Sequence, residues 1–194
     1  MYRHVKIISL HKNHSRLITR ASKNDRRAQQ ELFMQFSPKM LGICRRYLKN
    51  ADLAEEVMLL GFMKIFSNLE RFNNEGSFEG WMRRIMVNES ISQLRKDKKL
   101  NFVSDSEIEN SSEHATTIET ALEADEIQKL IDALPDGYKT VFVLYVVEGY
   151  KHNEIAELLQ ISENTSKSQL FKARKMLQNR LNNQNKIQYG TRQS

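Results

Sequence analysis

Apolar residues recur every three or four positions along most of the chain, which is the spacing of one face of an α-helix. The pattern covers residues 32–48, 81–94 and 127–134, and the last run ends at the turn signal Pro135-Asp136-Gly137. Residues 138–147 are rich in β-branched side chains but form too long and uniform a run for an isolated strand. We therefore expect a helix there as well, and the whole pattern predicts an all-α protein.

Residues 53–66 are apolar on more than one side. At about 100° per residue, one face of this helix holds the natural core positions Ala54, Met58, Gly61, Phe62, Ile65 and Leu69. Leu60 and Met63 project from the far side, and Leu59 lies near its edge. Such a helix is either enclosed by its neighbours or forms a protein-docking surface. A domain of this size can seldom cover a helix on every side, so the docking surface is favoured.

The pattern of residues 150–178 is typical of a helix-turn-helix. A short helix around Ile155 is followed by Ser162, whose hydroxyl can cap a second helix. The outward face of that helix carries hydroxyls, an amide, an aromatic ring and cations, which are groups that base edges and phosphates can use. A solvated helical hairpin with a charged surface is the alternative, and DNA reading fits the pattern better.

The charges divide the chain into blocks. The 194 residues carry a net charge of +6, which favours a polyanionic partner, yet residues 100–128 contain no Lys or Arg. The same stretch holds eight Asp and Glu residues. These acids either solvate a tether or shield the basic faces. We therefore expect two small helical domains joined by a flexible acidic linker, the second with the helix-turn-helix. The predicted order is an N-terminal extension (1–21), a helical domain (22–99), the linker (100–122), the helix-turn-helix domain (123–182) and a tail (183–194).

Several classes of function lack the residues they need. The single cysteine, Cys44, cannot form an internal disulfide and is better interpreted as core packing. His4, His11 and His14 have no matching ligands elsewhere, so neither a metal nor another cofactor is expected. The chain has no phosphate-binding glycine loop and no suggestive catalytic arrangement, so we do not expect an enzyme. No apolar run is long enough for membrane insertion.

Two groups of motifs lie in order along the chain. The first comprises DLAEEV at 52–57, GFMKIF at 61–66, RF at 71–72 and SFEGWMRRI at 77–85. The second comprises LP at 134–135, EG at 148–149, EIA at 154–156 and NTSKSQL at 164–170, followed by AR at 173–174. Together they resemble the extracytoplasmic-function (ECF) group of bacterial RNA polymerase sigma factors, and the resemblance covers roughly residues 22–99 and 123–182.

The resemblance implies a subunit that binds core RNA polymerase, recognises promoter DNA and promotes transcription initiation. The helix at 53–66 would dock on the polymerase, which would explain its surplus apolar face. The polymerase-binding residues implied in this way are Asp52, Glu55, Glu56, Leu59, Leu60 and Met63.

The resemblance also implies two DNA-binding sites. The segment from residue 71 onward would capture an unstacked base of the downstream promoter element and hold the melted strand, although Phe78 and Trp81 could equally be core residues. The residues implied for this site are Phe72, Asn73, Asn74, Ser77, Phe78, Trp81, Arg84, Asn88 and Arg95. The helix-turn-helix would read the upstream element in duplex form through Asn164, Thr165, Lys167, Ser168, Gln169, Phe171, Lys172, Arg174 and Lys175.

The expected partners are core RNA polymerase, double-stranded promoter DNA and its melted single strand, in the bacterial cytoplasm. An anti-sigma factor is a further partner that the family allows. The chain departs from the family pattern at Leu59 and Leu60, where a Gln and an acidic residue are usual. It departs again at Ser92, where Asp is usual, and at Ser166, where Val is usual.

Two other functions are weaker alternatives. A regulator that uses the helix-turn-helix alone would normally dimerise to present two reading heads, and the chain has no heptad pattern or dimer stripe. A protein adaptor that works through residues 53–66 alone would leave the cations between residues 167 and 175 unexplained.

Overall fold

The fold is entirely helical in the part of the chain that the structure, a computed structural model, describes. The described residues are 8–72, 76–97, 100, 102 and 124–190, with side chains described within 14–72, 76–97, 100, 102 and 126–182. They form eight α-helices and no strand, which confirms the predicted fold class. The chain divides into two compact units, Met1–Gln93 and Leu94–Ser194. Most of the expected acidic linker lies outside the described residues.

Four α-helices are described before the linker. They are α1 (Ile8–Ser22), α2 (Arg26–Tyr47), α3 (Ala51–Ser67) and α4 (Phe78–Lys96), with a single 3₁₀ turn at Leu69–Arg71 between the last two. The helices α1 and α3 both pack against α2. The core of this unit therefore lies around the centre of α2.

Helix α1 belongs to the packed unit, although most of it falls in the segment that we expected to be an extension. Its residues Leu17, Ile18 and Ala21 are buried, because their spacing of one and three positions places them on the face toward α2. The expected domain boundary at residue 22 stays a prediction.

Side-chain caps set the starts of α2 and α3. The carboxylate of Asp25 accepts hydrogen bonds from the backbone N–H groups of Arg27 and Ala28 at 3.0 and 3.1 Å, and it pairs with Arg20 at 2.6 Å. The bond from Ala28, followed by the Arg20 guanidinium, lowers the pKa of Asp25. Asn50 accepts from the N–H of Leu53 at 2.9 Å. Both residues supply acceptors for donors that an α-helix leaves unpaired at its start.

The core of the first unit is apolar and tightly packed. A Cβ at Gly61 of α3 would collide with the Met86 side chain of α4, so the missing side chain lets the two helices approach closely. Cys44 is fully buried beside the same methionine, with its Sγ 4.0 Å from the Met86 Sδ. Burial raises the pKa of the Cys44 thiol to about 11. This confirms that the cysteine packs in the core, since a reactive thiol needs a lowered pKa.

Among the described residues after the linker there are four α-helices. They are α5 (Ala124–Asp132), α6 (Asp136–Phe142), α7 (His152–Leu159) and α8 (Glu163–Gly190), and α6 continues into one wide π-helical turn at Val143–Val147. The predicted turn at Pro135 and the predicted helix at 138–147 are both confirmed. The widened turn holds the β-branched residues that made that helix ambiguous in the sequence.

Helix α8 packs on the other elements of the second unit, most extensively on α6 and α7. The shared core includes Leu134, Leu144, Ile155 and Leu170, each of which is buried. Ile127 was expected in the same apolar stripe, but it is exposed at the start of α5.

Two cations tie α5 to its neighbours. The Lys139 side chain of α6 is 1% exposed and donates to Asp132 at 2.6 Å, which pairs a charge that would be costly to bury alone. The Arg180 guanidinium of α8 donates to the carbonyls of Leu130 and Ala133. These carbonyls lie at the end of α5, where an α-helix has no acceptor partners of its own.

Candidate functional site

Helix α3 exposes apolar side chains opposite its buried face. Leu59, Leu60 and Met63 are 46%, 43% and 65% exposed, whereas all six predicted core positions are buried. This confirms the arrangement expected from the sequence and excludes full enclosure of the helix within its own unit. We call Leu59, Leu60 and Met63 the α3 patch.

Acidic side chains lie one to two turns before the α3 patch. Asp52, Glu55 and Glu56 are all exposed in the first two turns of α3, where the positive end of the helix dipole stabilises negative charge. The exposed surface of α3 is therefore acidic at its start and apolar in its middle, which suits a protein partner better than a polyanion.

An aromatic cluster surrounds the start of α4. The ring of Trp81 lies 5.5 Å from that of Phe72 and 5.9 Å from that of Phe78, and Phe36 of α2 contacts Phe78 edge-on. Phe72 and Phe78 are each only 9% exposed, while Trp81 is half-buried. The structure thus makes Phe72 and Phe78 mainly a buried support, and it leaves Trp81 as the ring of this cluster with more surface available to a ligand.

Polar residues continue from Trp81 along one face of α4. Arg84, Asn88 and Arg95 are exposed at helical spacing from Trp81, and the opposite face is buried through Met82, Met86, Val87, Ser90, Ile91 and Leu94. Ser92 is also exposed on this side of the helix. We call Trp81, Arg84, Asn88, Ser92 and Arg95 the α4 face.

The remaining residues of the predicted downstream site are placed only in part. Ser77 is exposed, and its hydroxyl accepts a hydrogen bond from the N–H of Gly80 at 3.2 Å, so it also caps α4. Asn73 and Asn74 lie outside the described residues. Their predicted contact with a promoter base stays a prediction.

The helix-turn-helix predicted from the sequence is confirmed in α7 and α8. Gln160 ends α7 in the left-handed region at φ 56°, which reverses the chain without a glycine. Ser162 then accepts from the N–H of Thr165 at 2.9 Å, and the two hydroxyls lie 2.8 Å apart. Ser162 is therefore the predicted cap of α8.

The outward face of α8 presents groups suited to DNA. Asn164, Lys167, Phe171 and Lys175 are exposed at spacings of three and four, and the Phe171 ring is 48% exposed. The other predicted contacts Thr165, Ser168, Lys172 and Arg174 are half-buried at the edges of this face. We call the four exposed residues the α8 face.

Gln169 is not part of that face. It was predicted to contact the upstream element, but its side chain is 1% exposed and its Oε1 has no hydrogen-bond partner. Its position lies one residue before Leu170, on the side of α8 that packs against the rest of the unit. The prediction that Gln169 contacts DNA is therefore wrong for this conformation.

One acid modifies the charge of the α8 face. Glu163 pairs with Lys167 at 2.8 Å across one turn of α8, and the hydrogen bond from Lys167 lowers the pKa of Glu163. The pair is exposed, so it stabilises the helix little. Its main consequence is that it partly neutralises a cation that could otherwise meet a phosphate.

Within the described residues, no group of three or more His, Cys, Asp or Glu side chains is placed to hold a metal ion. None of the helices in the described part of the chain is long and apolar enough to cross a membrane.

Comparisons with known protein families match both halves of the chain. The model of Sigma-70 region 2 matches residues 32–100, and the model of Sigma-70 region 4 matches residues 124–177. The first match contains the α3 patch and the α4 face, and the second contains the helix-turn-helix. The two matches are separated by the acidic stretch.

Curated relatives extend the match over most of the chain. The ECF RNA polymerase sigma-E factor of Haemophilus influenzae is 27% identical over 177 residues, which cover 85% of this chain and 93% of the relative. The RNA polymerase sigma factor SigV of Bacillus subtilis is 32% identical over 131 residues, which cover 68% and 77%.

A solved structure has a similar fold. It is the sigma factor RpoE of Bartonella quintana, crystallised in complex with the anti-sigma factor NepR. The match has a TM-score of 0.51 and 20% identity and covers 79% of this chain and 96% of that one.

The chain therefore belongs to the sigma-70 family of bacterial transcription initiation factors. Within that family it is a sigma factor of the ECF type. It binds core RNA polymerase, recognises promoter DNA and promotes transcription initiation.

Proposed function

We propose that the α3 patch is the surface through which this sigma factor docks on core RNA polymerase. The observation that carries this proposal is the exposure of Leu59, Leu60 and Met63 within the region 2 match. Exposed apolar side chains of this size cost free energy in water, which burial against a protein partner recovers at about 25 cal/mol per Å². The preceding acids Asp52, Glu55 and Glu56 would steer that partner by its cations.

Leu59 and Leu60 give this contact its particular character. Since a Gln and an acidic residue are usual at these positions in similar chains, the surface here is more apolar than the family pattern. We infer that the polymerase surface facing this chain is correspondingly apolar. The contact should then depend less on salt than a mainly ionic one, because its charged groups lie beside the apolar centre and not within it.

Met63→Asp tests the docking surface directly. We expect it to reduce association with core polymerase at least tenfold, because it places a charge where an apolar side chain would be buried. Met34→Asp is the matched control, since Met34 is an exposed methionine of α2 in the same unit. Co-purification of full-length variants with core polymerase, together with circular dichroism to check helix content, measures the effect. Equal binding by the two variants would contradict the assignment to α3.

We further propose that the two DNA elements are divided between α4 and α8. The α4 face offers an aromatic ring for an unstacked base and two arginines for the backbone of the melted strand, with Asn73 and Asn74 nearby in the chain. The α8 face, joined by Thr165, Ser168, Lys172 and Arg174, offers groups for base edges and phosphates in the duplex. Gln169 is left out of this proposal because it is buried.

The chain acts by binding alone in this proposal. Its contribution is to position polymerase and strands, so we infer that it has no catalytic activity of its own and works in the bacterial cytoplasm, where polymerase and promoter meet. Sequestration by an anti-sigma factor is a further proposal, supported by the complex in which the Bartonella quintana protein was solved. A pull-down of tagged protein from its own cells, with Met63→Asp as the control, tests that partner. Capture of a protein that competes with core polymerase is expected.

A further inference from the structure

His152 connects the two helices of the helix-turn-helix by a polar contact. It is the first residue of α7, and its Nδ1 lies 2.9 Å from the hydroxyl oxygen of Ser166 on α8. Ser166 is fully buried, so its hydroxyl is satisfied by this contact in place of water. An inward position of α8 thus holds a polar residue with a specific partner.

The face of the same imidazole contacts an aromatic ring. Tyr145, in the π-helical turn, stacks on His152 with ring centroids 4.5 Å apart and an angle of 25° between the planes. The guanidinium carbon of Arg174 lies 5.9 Å from the centroid of the Tyr145 ring. The chain of contacts therefore runs from Ser166 through His152 and Tyr145 to Arg174. We call these four residues the His152 cluster.

The cluster begins and ends on α8. Ser166 and Arg174 are separated by about 12 Å along the helix axis, at 1.5 Å per residue. The two residues between them in the contact chain come from other elements, the turn after α6 and the start of α7. The cluster therefore restrains α8 at two points, and the second of these points is a cation at the edge of the α8 face.

The charges around His152 favour its neutral form. Burial lowers its pKa, and Lys167 and Arg174 of α8 act in the same direction, while Glu163 of α8 opposes them. Tyr145 is the group that faces the ring from the π-helical turn, and Glu154 of its own helix is turned to the backbone N–H of Lys151. A neutral imidazole adds no like charge beside Arg174, so the guanidinium can stay over the tyrosine ring.

We propose that His152 is a positioning residue for promoter recognition: held between Ser166 and Tyr145, it sets the orientation of α8 and holds the Arg174 guanidinium at the edge of the DNA-reading face. This inference rests on the proposed role of α8 in reading the upstream element. It extends that role to two residues, His152 and Tyr145, that lie outside the outward face of α8. Restraining a long side chain before binding reduces the entropy that binding must overcome.

The test uses holoenzyme assembled from full-length protein and core polymerase on one promoter. The measured quantity is discrimination, the ratio of affinities for that promoter and for the same fragment with its upstream element scrambled. His152→Leu removes both contacts and should lower discrimination about fivefold, the range expected for losing one aromatic pair and its cation. His152→Phe keeps the stacking alone and should lower it less.

Variants of Ser166 isolate the hydrogen bond. Ser166→Ala should reproduce the effect of His152→Phe, and Ser166→Thr should restore discrimination because it keeps the hydroxyl. The double variant His152→Phe/Ser166→Ala should lose no more than either single variant, since both remove the same bond. Additive losses would overturn the proposed pairing.

Two further variants separate positioning from stability and from the underlying function. Val141→Ala empties a core position of α6 outside the cluster and should lower the melting temperature without changing discrimination. If His152→Leu has no larger effect than Val141→Ala, the positioning role is wrong. Lys175→Ala tests the role of α8 itself. If Lys175→Ala loses affinity for the promoter while His152→Leu keeps its discrimination, only the positioning role of His152 is overturned. If neither Lys175→Ala nor His152→Leu has any effect, the assignment of the upstream element to α8 is overturned.

Discussion

Trp81 is the only tryptophan of the chain. The rings packed around it support its predicted role in binding an unstacked base. Phe72 and Phe78 hold one side of the indole, while its remaining surface continues into the α4 face. The ring is therefore fixed in orientation before a base arrives. A fixed aromatic surface can stack on an unpaired base without first losing side-chain entropy.

Replacing Trp81 should impair promoter opening more than promoter binding. Trp81→Ala is expected to reduce the melted fraction about tenfold, within the 1–3 kcal/mol that stacking on one base contributes. Trp81→Phe is the control and should retain most of the activity because it keeps an aromatic face. Permanganate reactivity of thymines in holoenzyme complexes measures the melted fraction. Equal opening by Trp81→Ala and the wild type would remove Trp81 from the base-binding site.

Glu163 lies beside the α8 face and opposes its charge. Glu163→Gln should tighten binding to upstream-element DNA two- to fivefold at low salt, because it releases Lys167 from its ion pair and removes a carboxylate near phosphates. Glu157→Gln, at an exposed position of α7, removes the same charge at a site we have not placed against DNA. Fluorescence anisotropy at two salt concentrations distinguishes them. If Glu157→Gln tightens binding as much, net charge rather than the Lys167 pair explains the effect.

Helix α8 illustrates how one element can serve two surfaces. Its inner side, through Ser166, Leu170 and Ala173, is buried in the unit, and its outer side presents Phe171 and Lys175. The alternation follows from the helical repeat of 3.6 residues. The orientation of the outer side chains therefore depends on how the inner side is held, and His152 is part of that support.

The stability of α8 should depend on pH through His152. Because its pKa in the folded state is below the ordinary value of 6.5, the unfolded chain binds more protons between the two pKa values. The full contribution is present above pH 6.5 and is lost as pH falls toward the folded-state pKa. Hydrogen exchange of the Leu170 and Ala173 amides, corrected for intrinsic rates, should therefore show less protection at pH 5.5 than at 7.5.

His152→Phe provides the comparison for this pH effect. The variant lacks the titrating group, so its protection should change less across the same interval. Amides of α2, such as that of Met40, lie in the other unit and serve as an internal reference. The same pH dependence in the wild type and the variant would show that other groups account for it.

The sequence was most informative where periodicity alone decides the structure. The buried face of α3 and the exposed positions of Leu60 and Met63 follow directly from the helical repeat. The turn at Pro135 follows from the Pro-Asp-Gly signal that ends the apolar run. It was less informative at boundaries between faces. Gln169 lies near such a boundary, and whether it faces water depends on the angle at which α8 packs, which local spacing does not determine.

Local sequence patterns also could not predict contacts between residues that are distant in the chain. Ser166 was identified in the sequence only as a departure from the family pattern, whereas the structure pairs it with His152, fourteen positions earlier. The signal available was the coincidence of a polar residue at an inward position of α8 and a histidine at the start of α7. The aromatic support of Trp81 likewise combines residues of α2, the turn and α4.

At the scale of the whole molecule, the two units carry different surfaces. The unit that matches region 2 has an exposed apolar patch and a polar, cationic face on separate helices, and the unit that matches region 4 has exposed cations on the outward face of α8. A net charge of +6 is consistent with DNA as one partner, and the uncharged centre of α3 with a protein as another. A sigma factor needs both kinds of surface, because it joins polymerase to promoter.

The central claim is that this chain directs core polymerase to a defined set of promoters. Sequencing the 5′ ends of transcripts made on genomic DNA by core polymerase, with and without the purified protein, tests it most directly. We predict new 5′ ends that share one sequence element about one turn of DNA upstream and a second element farther upstream. With Lys175→Ala, the selected 5′ ends should share the second element less strictly. Transcripts indistinguishable from those of core polymerase alone would contradict the account.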